Sequence, residues 1–120
     1  MTMSETRRRR DALIDLIELR SSLDAAIAAV RGLPWDSDVD LVFLTRANVD
    51  VLLQRYLRGE LSAADLERWA DAVESREDIG SEHGYEELLR AFVFETANPV
   101  LAEPISDGFA RRWLERLGGG

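Results

Sequence analysis

Residues 45–73, TRANVDVLLQRYLRGELSAADLERWADAV, hold two amphipathic helices and the turn between them. Thr45 supplies a hydroxyl cap, Val49, Leu52, Leu53, Tyr56 and Leu57 recur at helical spacing, and Gly59 ends the run. Ser62 then opens a second helix. Asp65 follows three residues later, a close relative of the capping box, and Leu66, Trp69, Ala70 and Val73 form the buried stripe. These boundaries are set by backbone groups that need partners at helix ends, so they make the helical reading of the chain firm.

The same signals recur on either side. Toward the N-terminus, Leu13, Leu16, Ile17, Leu23, Ile27 and Val30 repeat at intervals of three, four or seven, which predicts one long helix over residues 4–30, stopped by Gly32 and Pro34. Toward the C-terminus, Leu88, Leu89, Phe92 and Val93 predict a very apolar helix ending near Asn98, because Pro99 disfavours helical geometry in the residue before it. Ser106 caps a last helix bearing Phe109, Trp113, Leu114 and Leu117. Between helices, residues 35–44 read as a connector that tucks Leu41–Leu44 into the core, and residues 77–84 read as an acidic loop. No strand alternation and no internal repeat is visible. The expected architecture is all-α: a single domain over residues 1–120, a bundle of about five helices with a long N-terminal helix, frayed at residues 1–10 and 118–120.

Composition narrows the chemistry. The chain has 120 residues, no cysteine and one histidine, and all 15 of its basic residues are arginine. Disulfides, thiolate nucleophiles, sulfur-ligated metals, Schiff-base lysines and phosphate-loop lysines are therefore excluded, and the expected location is the cytoplasm. No run of 18 apolar residues occurs, and Asp11, Asp15 and Glu18 interrupt any signal-like segment after the arginines at 7–10, so no membrane association is expected. The net charge is −8, and the stretch Glu60–Glu87 holds ten acidic residues against Arg68 and Arg76. Such a field repels nucleic acid and speeds encounter with a basic protein.

Catalytic and metal constellations fail on inspection. Asp36, Asp38 and Asp40 match the start of a calcium loop, but Leu41 and Ala47 stand where a glycine and a bidentate glutamate are required. His83 lies among Glu77, Asp78, Glu82, Glu86 and Glu87 without the spacing of a metal-binding bundle, and reads as a loop histidine. Ser62 and Ser106 read as caps, and neither Ser75 nor Ser81 sits in a nucleophile turn. The three tryptophans and their neighbouring rings read as core, since they are not interleaved with arginine as base-stacking rings are. No enzyme activity, cofactor or metal is expected.

The order Gly59-Glu60-Leu61-Ser62, Trp69-Ala70, Glu77-Asp78-Ile79-Gly80 and Asn98-Pro99 resembles a group of small, acidic, uncharacterised bacterial proteins that are in turn similar to the self-protective, colicin-D-type immunity proteins. The resemblance spans residues 42–117 and leaves the first helix outside it. It implies a helical bundle whose acidic face occludes the active site of a basic nuclease toxin. The expected partner surface comprises Glu74, Glu77, Asp78, Glu82 and Glu86, which would steer approach, with Tyr85 as an aromatic anchor. The alternative is a non-enzymatic structural or regulatory homodimer assembled through residues 4–31.

Overall fold

The computed structural model describes residues 2–118 as six helices and two short strands: α1 (Met3–Glu18), α2 (Leu23–Arg31), β1 (Val42–Leu44), α3 (Arg46–Leu57), α4 (Ala63–Glu74), β2 (Ile79–Ser81), α5 (Glu86–Ala97) and α6 (Asp107–Leu117). The mostly helical expectation holds. Thr45, Ser62 and Ser106 are the N-caps of α3, α4 and α6, each accepting a backbone N–H three residues on. One hydrophobic core draws on every helix. At its centre Phe92 of α5 meets Trp69 of α4 at 6.3 Å and Trp113 of α6 edge-on at 5.3 Å, the offset geometry that ring quadrupoles favour. No helix among the described residues is long and apolar enough to cross a membrane.

The single long N-terminal helix is corrected: it is two helices folded back on each other. Leu19 leaves α1 in the left-handed region, at φ 49°, with its side chain buried. The Asp15 carboxylate accepts from Ser21 N–H at 2.8 Å and from Ser21 Oγ at 2.5 Å, and Ser22 caps α2. The break leaves Leu16 C=O near the end of α1 without a helical partner, and Trp69 Nε1 fills that role at 2.8 Å. Apolar spacing runs on in register across the turn, which is why periodicity alone reads it as continuous. Of the residues a dimer seam would use, Leu13, Leu16, Ile17 and Ile27 are buried inside the chain itself, and Leu23 is half-buried against the same core.

The frayed basic tail is corrected too. Thr2 and Glu5 form a capping box at the start of α1, and Arg9 is buried. Gly118 caps α6, its N–H donating to Leu114 C=O at 2.9 Å. Met1 and residues 119–120, also expected to fray, lie outside the described residues.

The connector and the acidic loop each contribute a strand. β1 and β2 pair in parallel, Val42 with Ile79, Phe43 with Gly80 and Leu44 with Ser81. Leu41 N–H donates to Asp78 C=O, and Glu82 N–H to Leu44 C=O, both at 2.8 Å, so the ladder is anchored just outside each end. Three residues are too few to show alternation, and the partners are separated by α3 and α4, so neither strand announces itself locally.

Asp78 holds this sheet in place. Its side chain is fully buried, with Arg9 Nε at 2.9 Å from Oδ2 and Arg76 donating to both oxygens at 2.9 Å. Other guanidinium nitrogens reach carbonyls: Arg76 Nη1 to Val30 at 3.0 Å, Arg76 Nη2 to Pro34 at 2.5 Å, and Arg9 Nη2 to Asp36 at 2.8 Å. α1, the end of α2, the following loop and β2 are thereby joined at one carboxylate. Burial alone would raise the Asp78 pKa, but the hydrogen bonds and charges of Arg76 and Arg9 outweigh it and hold the carboxyl below its ordinary range.

Two outcomes follow for unfolding measurements. Asp78→Asn leaves two buried guanidinium groups without a counterion, and urea denaturation at neutral pH is expected to register a loss of about 3–5 kcal/mol. Because the native carboxyl titrates below the ordinary value of 3.8, the unfolded chain takes the proton first. The contribution of Asp78 is therefore complete above about pH 4–5 and lost as pH falls through the native pKa, and Asp78→Asn removes that part of the acid dependence.

Candidate functional site

The alternation of β1 sends Val42 and Leu44 into the core and turns Phe43 outward, 53% exposed. Opposite Phe43 lies Gly80, and a Cβ there would stand 2.5 Å from Asp40 Oδ2 and 3.0 Å from Phe43 Cδ1. The absence of a side chain at Gly80 thus lets Asp40 and Phe43 close over the strand. Beside the sheet runs a groove of about 930 Å³, with β2 along one wall and Leu89, Arg90, Val93 and Phe94 of α5 along another. Val73 and Glu74 of α4, together with Glu82, His83 and Glu86, complete much of its lining. Phe94, 49% exposed, is its second uncovered ring.

The expected partner residues divide. Glu74, at the end of α4, is exposed, lines the groove and accepts a long hydrogen bond from Asn98 Nδ2 at 3.4 Å. Glu86 also lines it; its Oε1 accepts from Gly84 N–H at 2.9 Å and its Oε2 lies 3.7 Å from Nδ1 of the exposed His83. Glu82 lines it as well, but both its oxygens are engaged by Arg46: the backbone N–H at 2.9 Å, Nε at 3.2 Å and Nη2 at 3.0 Å. Tyr85 carries the Arg46 guanidinium 3.6 Å from its ring centroid, so the expected anchor is partly covered by a cation of its own chain. Glu77 is exposed and accepts from Ser37 N–H at 3.3 Å, toward the loop that precedes β1.

Asp78 is a correction. A fully buried carboxylate held by two arginines steers no partner, and its place in the acidic stretch is explained by internal neutralisation. The wider stretch is likewise subdivided. Glu60 meets Arg55 and Arg58, and Asp65 is spent on the cap of α4. Among the described residues, the acids lining the groove without an arginine bridge are Asp40, Glu74 and Glu86, and the lining arginine without a carboxylate bridge is Arg90. Among the described residues no group of three potential metal-ligating side chains converges.

Asp40, Phe43 and Phe94 lie outside the surface expected from the sequence, where both rings read as core. Trp35 is exposed as well, at 59%. One signal for Phe94 was available: Phe92, Val93 and Phe94 are consecutive, and a helix cannot bury three successive side chains against one neighbour. Nothing local marks Asp40, which reaches its place only when β2 pairs with β1.

The charges at the groove have been tuned unequally. The Arg46 side chain, then its backbone N–H, hold the Glu82 carboxyl below the ordinary glutamate range. Glu86 is lowered first by its own backbone N–H at the start of α5, against a smaller opposing effect of desolvation, with Gly84 N–H adding to the fall. Carboxyl-detected NMR titration is expected to give midpoints below 4.5 for both, and Arg46→Ala is expected to raise that of Glu82 while leaving Glu86 in place. No family model, curated protein or solved structure matches this chain, so what the groove can do follows from its own residues.

Proposed function

We propose that this chain is an acidic protein-binding module that recognises a basic partner at the groove beside β2, in the manner of an immunity protein neutralising a basic nuclease-type toxin. The observation that carries this reading is the pairing of two uncovered rings, Phe43 and Phe94, with the unbridged acids Asp40, Glu74 and Glu86 around one concave surface. The rings supply apolar area that is desolvated on contact, and the acids supply attraction over the last nanometre of approach. Of the acids lining the groove, Glu82 is already bonded to Arg46 and adds little to that field, which concentrates the recognition there on Asp40, Glu74 and Glu86.

The immunity-like part of the proposal rests on the resemblance of residues 42–117 to the colicin-D-type immunity proteins, and the charge of the groove agrees with it. A nuclease must hold a phosphate backbone, so its active cleft is basic, and an acidic concave surface with aromatic anchors competes for the same groups. No catalytic role is assigned to the groove. Its polar side chains are carboxylates, one exposed histidine, a pair of arginines and the hydroxyls of Thr45 and Ser81; Thr45 Oγ1 is bonded to the amide of Asn48, and among the described residues neither hydroxyl is held by a base.

The test is kinetic. With a basic nuclease that the wild-type chain inhibits, the association rate is expected to fall about tenfold or more between roughly 50 and 500 mM salt, and to fall comparably in the variant carrying both Glu74→Arg and Glu86→Arg at low salt. An association rate indifferent to both changes removes the proposal.

A further inference from the structure

The groove has a hydrogen-bonding wall as well as a charged rim. In a parallel ladder, alternate residues of a strand turn their N–H and C=O groups toward the neighbouring strand. Asp78 C=O and Glu82 N–H both bond to the β1 side, so the residues of β2 in the same phase face β1, and Ile79 and Ser81 face away from it. The sheet has two strands only, and among the described residues no backbone or side-chain group of the chain bonds to the N–H or C=O of Ile79 or Ser81. Both residues line the groove.

This edge lacks the usual protection. Natural edges are blunted by lysine, proline, a bulge or a covering element, whereas Ile79-Gly80-Ser81 carries neither charge nor proline and runs beside an open groove. A two-stranded sheet is also a poor stopping point, because parallel strands are ordinarily covered on both faces and Phe43 leaves one face open.

We propose that the free edge of β2 accepts an extended, arginine- or lysine-bearing segment of the partner protein as a third strand laid in the groove. The inference rests on the acidic-groove reading above and names the form the partner takes there. Strand alternation sets its chemistry. Side chains on one face of the added strand meet the accessible apolar part of the groove, the half-buried Ile79 and the exposed Phe94, and those on the other face meet the outer side of the sheet, where Asp40 lies over Gly80. An alternation of apolar and basic residues satisfies both. A second copy of this chain is disfavoured as the occupant, since it would bring Glu74 and Glu86 against their own counterparts.

The probe is a synthetic peptide of about eight residues alternating arginine and valine, together with two versions N-methylated on the valines or on the arginines. In an added strand only one of these sets turns its N–H groups toward β2. One methylated version is therefore expected to bind about tenfold or more weakly than the other, and the parent peptide is expected to slow hydrogen exchange at the amides of Ile79 and Ser81. If all three peptides bind alike, and binding still weakens with salt and in the variant carrying both Glu74→Gln and Glu86→Gln, strand addition is overturned while the acidic groove stands. If none binds at about millimolar peptide, or if binding ignores salt and the double substitution, the groove reading fails with it.

Discussion

Asp78 lies between Arg9 and Arg76 with no exposed surface, and the placement of β2 depends on that contact. A buried carboxylate is tolerable only when its oxygens are fully engaged, and a buried guanidinium only when its donors are. Two arginines bring more donors than one carboxylate can accept, so the surplus goes to the carbonyls of Val30, Pro34 and Asp36. Those carbonyls belong to the end of α2 and the segment leading into β1. The constraint thus fixes where β1 begins, where β2 runs, and how α1 sits across both. Because Asp78 C=O also receives Leu41 N–H, the charge cluster and the sheet register are set together.

The consequence for the surface is that net charge is a poor guide to where the field lies. Ten carboxylates crowd the stretch from Glu60 to Glu87. Packing turns Asp78 inward, commits Asp65 to a helix cap, and sets Glu60 and Glu82 against arginines from α3 and its C-terminal turn. Attraction at distances of several ångströms comes from groups without a counterion beside them, since a close pair presents only a dipole to an approaching molecule. Glu74 and Glu86, from opposite ends of the acidic stretch's second half, join Asp40 from outside it at one groove.

Helix ends were legible because capping is local chemistry. Thr45, Ser62 and Ser106 each accept a backbone N–H three residues on, and that requirement is written in a few adjacent residues. The break between α1 and α2 also had local marks, in Ser22 and in Asp15 placed to receive Ser21, but the apolar spacing of Leu16, Ile17, Leu23 and Ile27 stays consistent with one helix and masks them. Arg9 had no mark at all. Among four consecutive arginines only its position on the inward side of α1, level with Asp78, makes it structural.

The helical class, most of the caps and the acidic balance can be read without a fold, since each depends on periodicity, on neighbours within four residues, or on composition. Glu74, Glu82 and Glu86 were already visible as candidates for the same reason. The tertiary structure alone decided that Asp78 is internal, that Tyr85 lies under Arg46, and that Asp40, Phe43 and Phe94 border one groove. Those outcomes depend on which segments far apart in the chain become neighbours: a parallel pair of three-residue strands separated by two helices, and a salt bridge spanning 69 positions. Contacts of that kind leave no period and no motif in the chain, because the free energy that selects them is shared among many residues at once.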